Sequence, residues 1–205
     1  MARLAPAVSL HILILAEGVT ARYETREAAD LSHVQALHRQ AREVAAALGA
    51  KEVRLLGLPD NRMDTVPLLD IAKQIEEVLE QVKPAAVFTH HLGDLNVDHR
   101  LAAQAVLTAT RPVPGCSVRE LYAFEVPSST EWAFGHLEQG FHPNLFVDIS
   151  DFLEQKLSAM ALYREEVRPF PHPRSLEALR ARASYWGSVV GCSSAEAFEA
   201  IRVVW

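Results

Sequence analysis

Ala85-Ala86-Val87-Phe88-Thr89-His90-His91-Leu92-Gly93-Asp94-Leu95-Asn96-Val97-Asp98-His99-Arg100 is the stretch on which the reading of this chain turns. The apolar run from Ala85 to Phe88 predicts a buried strand continuing to Thr89. A loop holding three histidines, two aspartates, an asparagine and an arginine follows at once. Leu101, Ala102, Ala105, Val106 and Ala109 then recur at three- and four-residue steps, so a helix runs out of the loop. In an open α/β sheet, the ends of the strands are where sites are built.

The flanks repeat the pattern. Val8 to Ala16 is a branched, nearly continuous apolar run that predicts a buried strand, ended by Glu17-Gly18. Leu31, Val34, Leu37, Ala41, Val44, Ala45 and Leu48 predict an amphipathic helix closed by Gly49. A strand at Glu52 to Leu56, a charged turn at Gly57 to Asp64 and a helix at Leu68 to Val82 follow. Beyond Pro114, strands are expected at Leu121 to Val126 and Leu145 to Ile149, and a helix capped by Ser150 or Asp151 to about Arg164. Three prolines between Arg168 and Ser175 require a rigid loop, after which Ser175 caps a helix to about Val190. Alternating strands and helices predict a mostly parallel sheet with helices on both faces.

Length and composition bound the rest. The 205 residues, without an internal repeat, suit a single domain over 1–205 with a helical part from about 150. Hydrophobic residues make up 49% and charged residues 22%, with a mean hydropathy of +0.03, which is a globular composition. The net charge of −6 without a basic run argues against a nucleic-acid partner. No stretch approaches the roughly 20 apolar residues of a membrane span. Leu4 to Ala16 resembles a signal-peptide core only superficially, because Ser9 and His11 interrupt it and Glu17-Gly18 follows it. Cys116 and Cys192 fit no ligand spacing and read as core thiols in a reducing, cytoplasmic compartment.

His99 opens a helix directly after Asp98, which suits a metal-ligating imidazole oriented by a carboxylate. A surface histidine capped by acidic neighbours is the bland counterpart, and the density of polar residues in the loop favours the ligand. The stretch Thr89-His90-His91 to Gly93-Asp94-Leu95-Asn96-Val97-Asp98-His99-Arg100 closely resembles the second metal-site motif of the PIG-L/LmbE-like zinc-dependent N-deacetylases, the GlcNAc-PI de-N-acetylase-like family. Weaker likenesses occur in the same order: Leu13 to Arg22, Leu58 to Asp64, Phe141 to Ile149, and Ala195-Glu196-Ala197-Phe198.

The resemblance implies a Rossmann-like three-layer α/β/α sandwich, a zinc cofactor and hydrolysis of an N-acyl group on an amino sugar or its conjugate. It makes His99 a zinc ligand and Asp98 its partner or a catalytic helper. Asn96 takes a catalytic position where some members carry histidine, which weakens oxyanion or proton-relay help. Arg100 either binds substrate or anchors the loop, and the anchoring role is favoured. One departure stands out: the family's opening His-Pro-Asp-Asp, source of two metal ligands and the general base, does not occur. Met1 to Leu4 reads as the tail of a helix, so the chain is expected to be N-terminally shortened relative to the family and to self-associate where a strand is missing. His90, Asp94 and His99 are a disfavoured substitute set, because His90 and His91 alternate across a strand end.

Softer candidates are Glu17, Arg22, Asp60 and Arg62 as substrate-binding groups, against ordinary loop charge. His172, held between two prolines, could protonate a leaving amine, against a solvent-facing loop histidine. Trp132, Trp186 and Trp205 could stack on sugars but read more simply as core. Two other functions compete: a family member without catalysis that binds sugars or partners, and an unrelated nucleotide-binding protein. No Gly-rich phosphate loop follows any strand, which disfavours the last.

Overall fold

The computed structural model describes residues 1–137 and 140–205. In chain order the elements are β1 (His11–Ala16), α1 (Leu31–Ala47), β2 (Glu52–Leu58), α2 (Leu68–Val82) and β3 (Ala86–His90). They continue with α3 (Val97–Ala109), β4 (Glu120–Phe124), β5 (Leu145–Asp148), α4 (Leu153–Ala161), α5 (Leu176–Val190) and β6 (Ala195–Val203). The chain forms two compact units, Met1–Asp60 with Val147–Glu196, and Asn61–Phe146 with Ala197–Trp205. The expected α/β fold is present, with the strands of the described residues grouped in a two-stranded and a four-stranded sheet.

In the first unit β1 and β2 pair in parallel, His11 opposite Glu52 and Ile14 opposite Leu55. Parallel neighbours need a crossover, and α1 supplies it. The Asp30 carboxylate starts α1 by accepting from the Ser32 amide at 2.8 Å. Gly18, with φ of 71°, makes the turn after β1, and a Cβ there would lie 2.5 Å from Leu37 Cδ2. β1 begins at His11 rather than Val8 because the preceding backbone is turned, with the Ala7 and Val8 amides both donating to the Leu4 carbonyl. Val44, Leu48 and Ala159 form a buried cluster joined by Ala2, Leu162 and Tyr163.

One expectation about this unit is corrected. Neither Ser150 nor Asp151 caps α4: the Ser150 amide and hydroxyl both go to the Asp148 carboxylate, and the helix begins only at Leu153. Ser175 caps α5 as expected, its hydroxyl accepting from the Ala178 amide at 3.0 Å.

In the second unit β3 pairs in parallel with β4, His90 opposite Phe124, and β4 pairs antiparallel with β6, Phe124 opposite Phe198. The four-stranded order is β3-β4-β6-β5, so an antiparallel strand enters a sheet expected to be mostly parallel. α2 packs on α3; Ile71 and Ala72 of the first and Ala102, Ala103 and Ala105 of the second are buried. α3 also lies against β3. That packing fixes the loop from His91 to Asn96 between a strand end and a helix start.

Among the described residues no helix is long and apolar enough to cross a membrane. Cys116 and Cys192 are free and only half-buried. Trp132 is 41% exposed and Trp205 fully exposed, so neither is a core residue.

Candidate functional site

Asn96 ends the loop as the N-cap of α3, its side-chain oxygen accepting from the Asp98 amide at 2.8 Å. Helical spacing then fixes the next three side chains. His99 turns back over the loop, and its Nδ1 lies 3.0 Å from Asp94 Oδ1. Asp94 is completely buried. Its Oδ1 also accepts from the Asn96 amide at 2.8 Å and from the Ser129 hydroxyl, while Oδ2 accepts from the Thr130 hydroxyl at 2.7 Å. Burial alone would raise the Asp94 pKa, but the hydrogen bonds from His99, Ser129 and Thr130 outweigh it and hold the carboxyl at about 2.

The carboxylate behind His99 is therefore Asp94, not Asp98 as the sequence suggested. Asp98 points elsewhere: Oδ2 accepts from the Asn61 amide at 2.6 Å and Oδ1 from the Met63 amide at 3.0 Å. It grips the backbone on either side of Arg62. Asn61 has φ of 51°, a left-handed conformation that asparagine tolerates. Arg62 is half-buried, and no hydrogen bond or ion pair engages its guanidinium among the described residues. Arg100 anchors the loop, donating to the carbonyls of Asp94 at 2.7 Å and Leu95 at 2.6 Å.

The two adjacent histidines diverge, as strand alternation requires. His90 stacks on His99, with ring centroids 4.3 Å apart and planes 14° from parallel. Its Nδ1 is buried without a hydrogen bond, and burial followed by the neighbouring His99 pushes its pKa down to about 3, so the ring is neutral. His91 points to Glu199, with Nδ1 to Oε2 at 2.7 Å, and meets the Phe141 ring edge-on. Burial pushes the Glu199 carboxyl up, but His91 and the His142 amide hold it below its usual range.

A catalytic zinc takes three protein ligands and keeps one open position. Here His99 stacks on His90, whose Nδ1 has no hydrogen bond, while the Asp98 and Asp94 oxygens all accept from protein donors. Among the described residues no three His, Cys, Asp or Glu side chains form a group able to hold a metal ion. The residues present do not fit a complete zinc site.

The remaining candidates lie in the first unit and have partners of their own. Glu17 accepts two hydrogen bonds from Arg26 and one from Thr20, and the Arg26 contact holds it below the usual carboxylate range. Arg22 pairs with Glu165 and Glu166, and Arg174 shares Glu166. Asp60 accepts from the Ala21 amide at 3.1 Å. His172 accepts at Nδ1 from the Arg174 amide at 3.1 Å. Each of these contacts orders a loop.

Sequence reasoning missed Ser129, Thr130 and Glu199. The signal for the first two was a run of hydroxyls, Ser128-Ser129-Thr130, just beyond β4, the strand beside β3. For Glu199 the surrounding stretch, which also carries Glu196 and Arg202, gave no distinguishing signal.

Fold and site define an α/β domain with a carboxylate-held histidine on the first turn of the helix leaving a parallel strand. Residues 1–110, just over half of the chain, match the family described as PIG-L, GlcNAc-PI de-N-acetylase, and the chain belongs to it. A probable N-acetyl-alpha-D-glucosaminyl L-malate deacetylase 2 of Bacillus cereus is 22% identical over 129 residues, covering 62% of this chain and 56% of that protein. The chain thus spans little more than half the length of this curated relative. A conserved protein of Thermus thermophilus superposes with a TM-score of 0.76 at 25% identity, covering all of this chain and 87% of the other. The N,N'-diacetylchitobiose deacetylase of Pyrococcus horikoshii shares the fold, with a TM-score of 0.74 at 19% identity over 98% of this chain and 76% of its own.

Proposed function

We propose that this chain is an N-deacetylase domain acting on an N-acylated amino sugar or its conjugate. Membership in the PIG-L family supports the reading, as do the sugar deacetylases among its relatives. The observation that carries it is His99 on the first turn of α3, held through Nδ1 by a buried carboxylate so that Nε2 is the nitrogen left to work. In this reading His99 is the metal-ligand position, although the donors present do not complete a zinc site. Arg62 is the substrate-binding group, its half-buried guanidinium suited to sugar oxygens. Asp98 holds the Arg62 loop in place, and Asn96 acts as a helix cap.

A second reading is sugar binding without turnover, favoured by the want, among the described residues, of a third ligand beside His99 and His90. Purified chain incubated with N-acetylglucosamine conjugates separates the two. Amine release that His99→Ala abolishes supports the deacetylase. Calorimetric binding without release, lost in Arg62→Ala, supports the binding role. Neither release nor binding overturns both. Zinc content, measured by mass spectrometry on the same samples, is expected to fall well short of one per chain; a full equivalent would mean that further donors complete the site.

A further inference from the structure

The loop from Val126 to Glu131 has no part in the reading above, yet two of its side chains meet on Asp94. Ser129 and Thr130 are both buried, and both hydroxyls donate to that carboxylate. The loop is itself braced. Thr130 Oγ1 accepts from the Val126 amide at 2.7 Å, and the Glu131 carboxylate accepts from the amides of Ser128 at 2.8 Å and Ser129 at 3.3 Å. The Ser129 carbonyl in turn receives the Leu95 amide at 3.4 Å, tying the loop back to the segment that carries Asp94. A connection needing only to be a turn has no reason to bury two hydroxyls on one carboxylate.

Their effect passes through Asp94 to His99. An ionised carboxylate only accepts, so the nitrogen facing it must carry the proton. Nδ1 of His99 is thereby an N–H, and in the neutral ring Nε2 is the nitrogen that bears the free lone pair. Two further contacts add to this: His90 stacks on the face of the ring, and the Asn96 amide donates to Asp94 Oδ1. Without the hydroxyls Asp94 could rotate about χ2 and release Nδ1.

We propose that Ser129 and Thr130 are positioning residues of the site: by clamping Asp94 they hold His99 as the Nδ1–H tautomer with Nε2 as a bare acceptor. The proposal rests on the deacetylase reading for its functional meaning, but its test contains no sugar and reads no turnover, so either can fail without the other.

The test is two-dimensional NMR of the whole chain labelled with 15N-histidine, with His99→Gln used to assign the His99 signals. The native chain is expected to show His99 Nδ1 protonated and Nε2 at an imine-type shift. His172, whose Nδ1 accepts a hydrogen bond, supplies the opposite pattern as an internal reference. Ser129→Ala removes only the contact to Asp94 and is expected to draw the two His99 nitrogen shifts toward each other as the tautomers mix. Thr130→Val is expected to do the same, and Thr130→Ser to restore the native pattern. A native His99 protonated at Nε2 overturns the proposal, as do native shifts retained in both Ser129→Ala and Thr130→Val. A merely structural role for the loop would change stability without moving the tautomer.

Discussion

Replacing Asp94 with asparagine tests the centre of the site. The side chain is fully buried and accepts from His99, Ser129, Thr130 and the Asn96 amide. Its carboxyl is held at about 2 against an ordinary 3.8, so folding favours the ionised form by roughly 2–3 kcal/mol. The folded value lies below the ordinary one. The contribution is therefore complete above pH 3.8, and pH 7 lies well inside that range. Asparagine keeps the shape but turns one acceptor into a donor facing a hydroxyl. Asp94→Asn should thus cost about 2–3 kcal/mol at pH 7, and melting should fall by roughly 5–10 °C for a chain of this length. Asp94→Ala leaves four donors without an acceptor and should cost more, about 3–5 kcal/mol. Urea unfolding followed by circular dichroism measures both. A loss below about 0.5 kcal/mol for Asp94→Asn, or an alanine variant no worse than the asparagine one, would refute the view that this carboxylate organises the loop.

Asn96→Ala removes the cap of α3 and should cost about 1 kcal/mol, whereas Asn96→Asp keeps an acceptor and should cost little, both read by thermal melting. Glu17 is held below its ordinary 4.5 by Arg26, so its stabilising effect is present above that value and lost as pH falls through the depressed one. Glu17→Gln should accordingly lower the melting temperature at pH 7, with a gap to the native chain that narrows below about pH 4.5. A gap that stays constant down to pH 3 would contradict the ion pair. Gly187→Ala would put a Cβ 2.6 Å from the Cys192 carbonyl and 2.7 Å from Ser194 backbone atoms, so it should destabilise by about 1–3 kcal/mol in denaturant titration.

Much of the fold is legible because its helices and inner strands carry their own periodicity. α2 and α5 begin and end where the apolar spacing and Ser175 place them, and α1 stops within a residue of its expected end. β6 was not foreseen. Its pairing with β4 is antiparallel and links residues some eighty positions apart, and no local pattern encodes such a partner. α4 starts later than its sequence suggests for a local reason: Asp148 takes the Ser150 hydroxyl that would have capped it.

The site divides along the same line. The sequence by itself determined the family, through the residues from Thr89 to Arg100, and the place of His99 at a helix start, because both are written in contiguous residues. Which carboxylate stands behind His99 was decided only by tertiary structure. Asp98 is adjacent in sequence, but on the helix it faces the amides of Asn61 and Met63, while Asp94 is folded back beneath the ring by two hydroxyls from beyond β4. Tertiary structure also spent the charges of Glu17, Arg22 and Asp60 on their own loops. A charge in a sequence carries no record of its partner, and burial makes finding one obligatory.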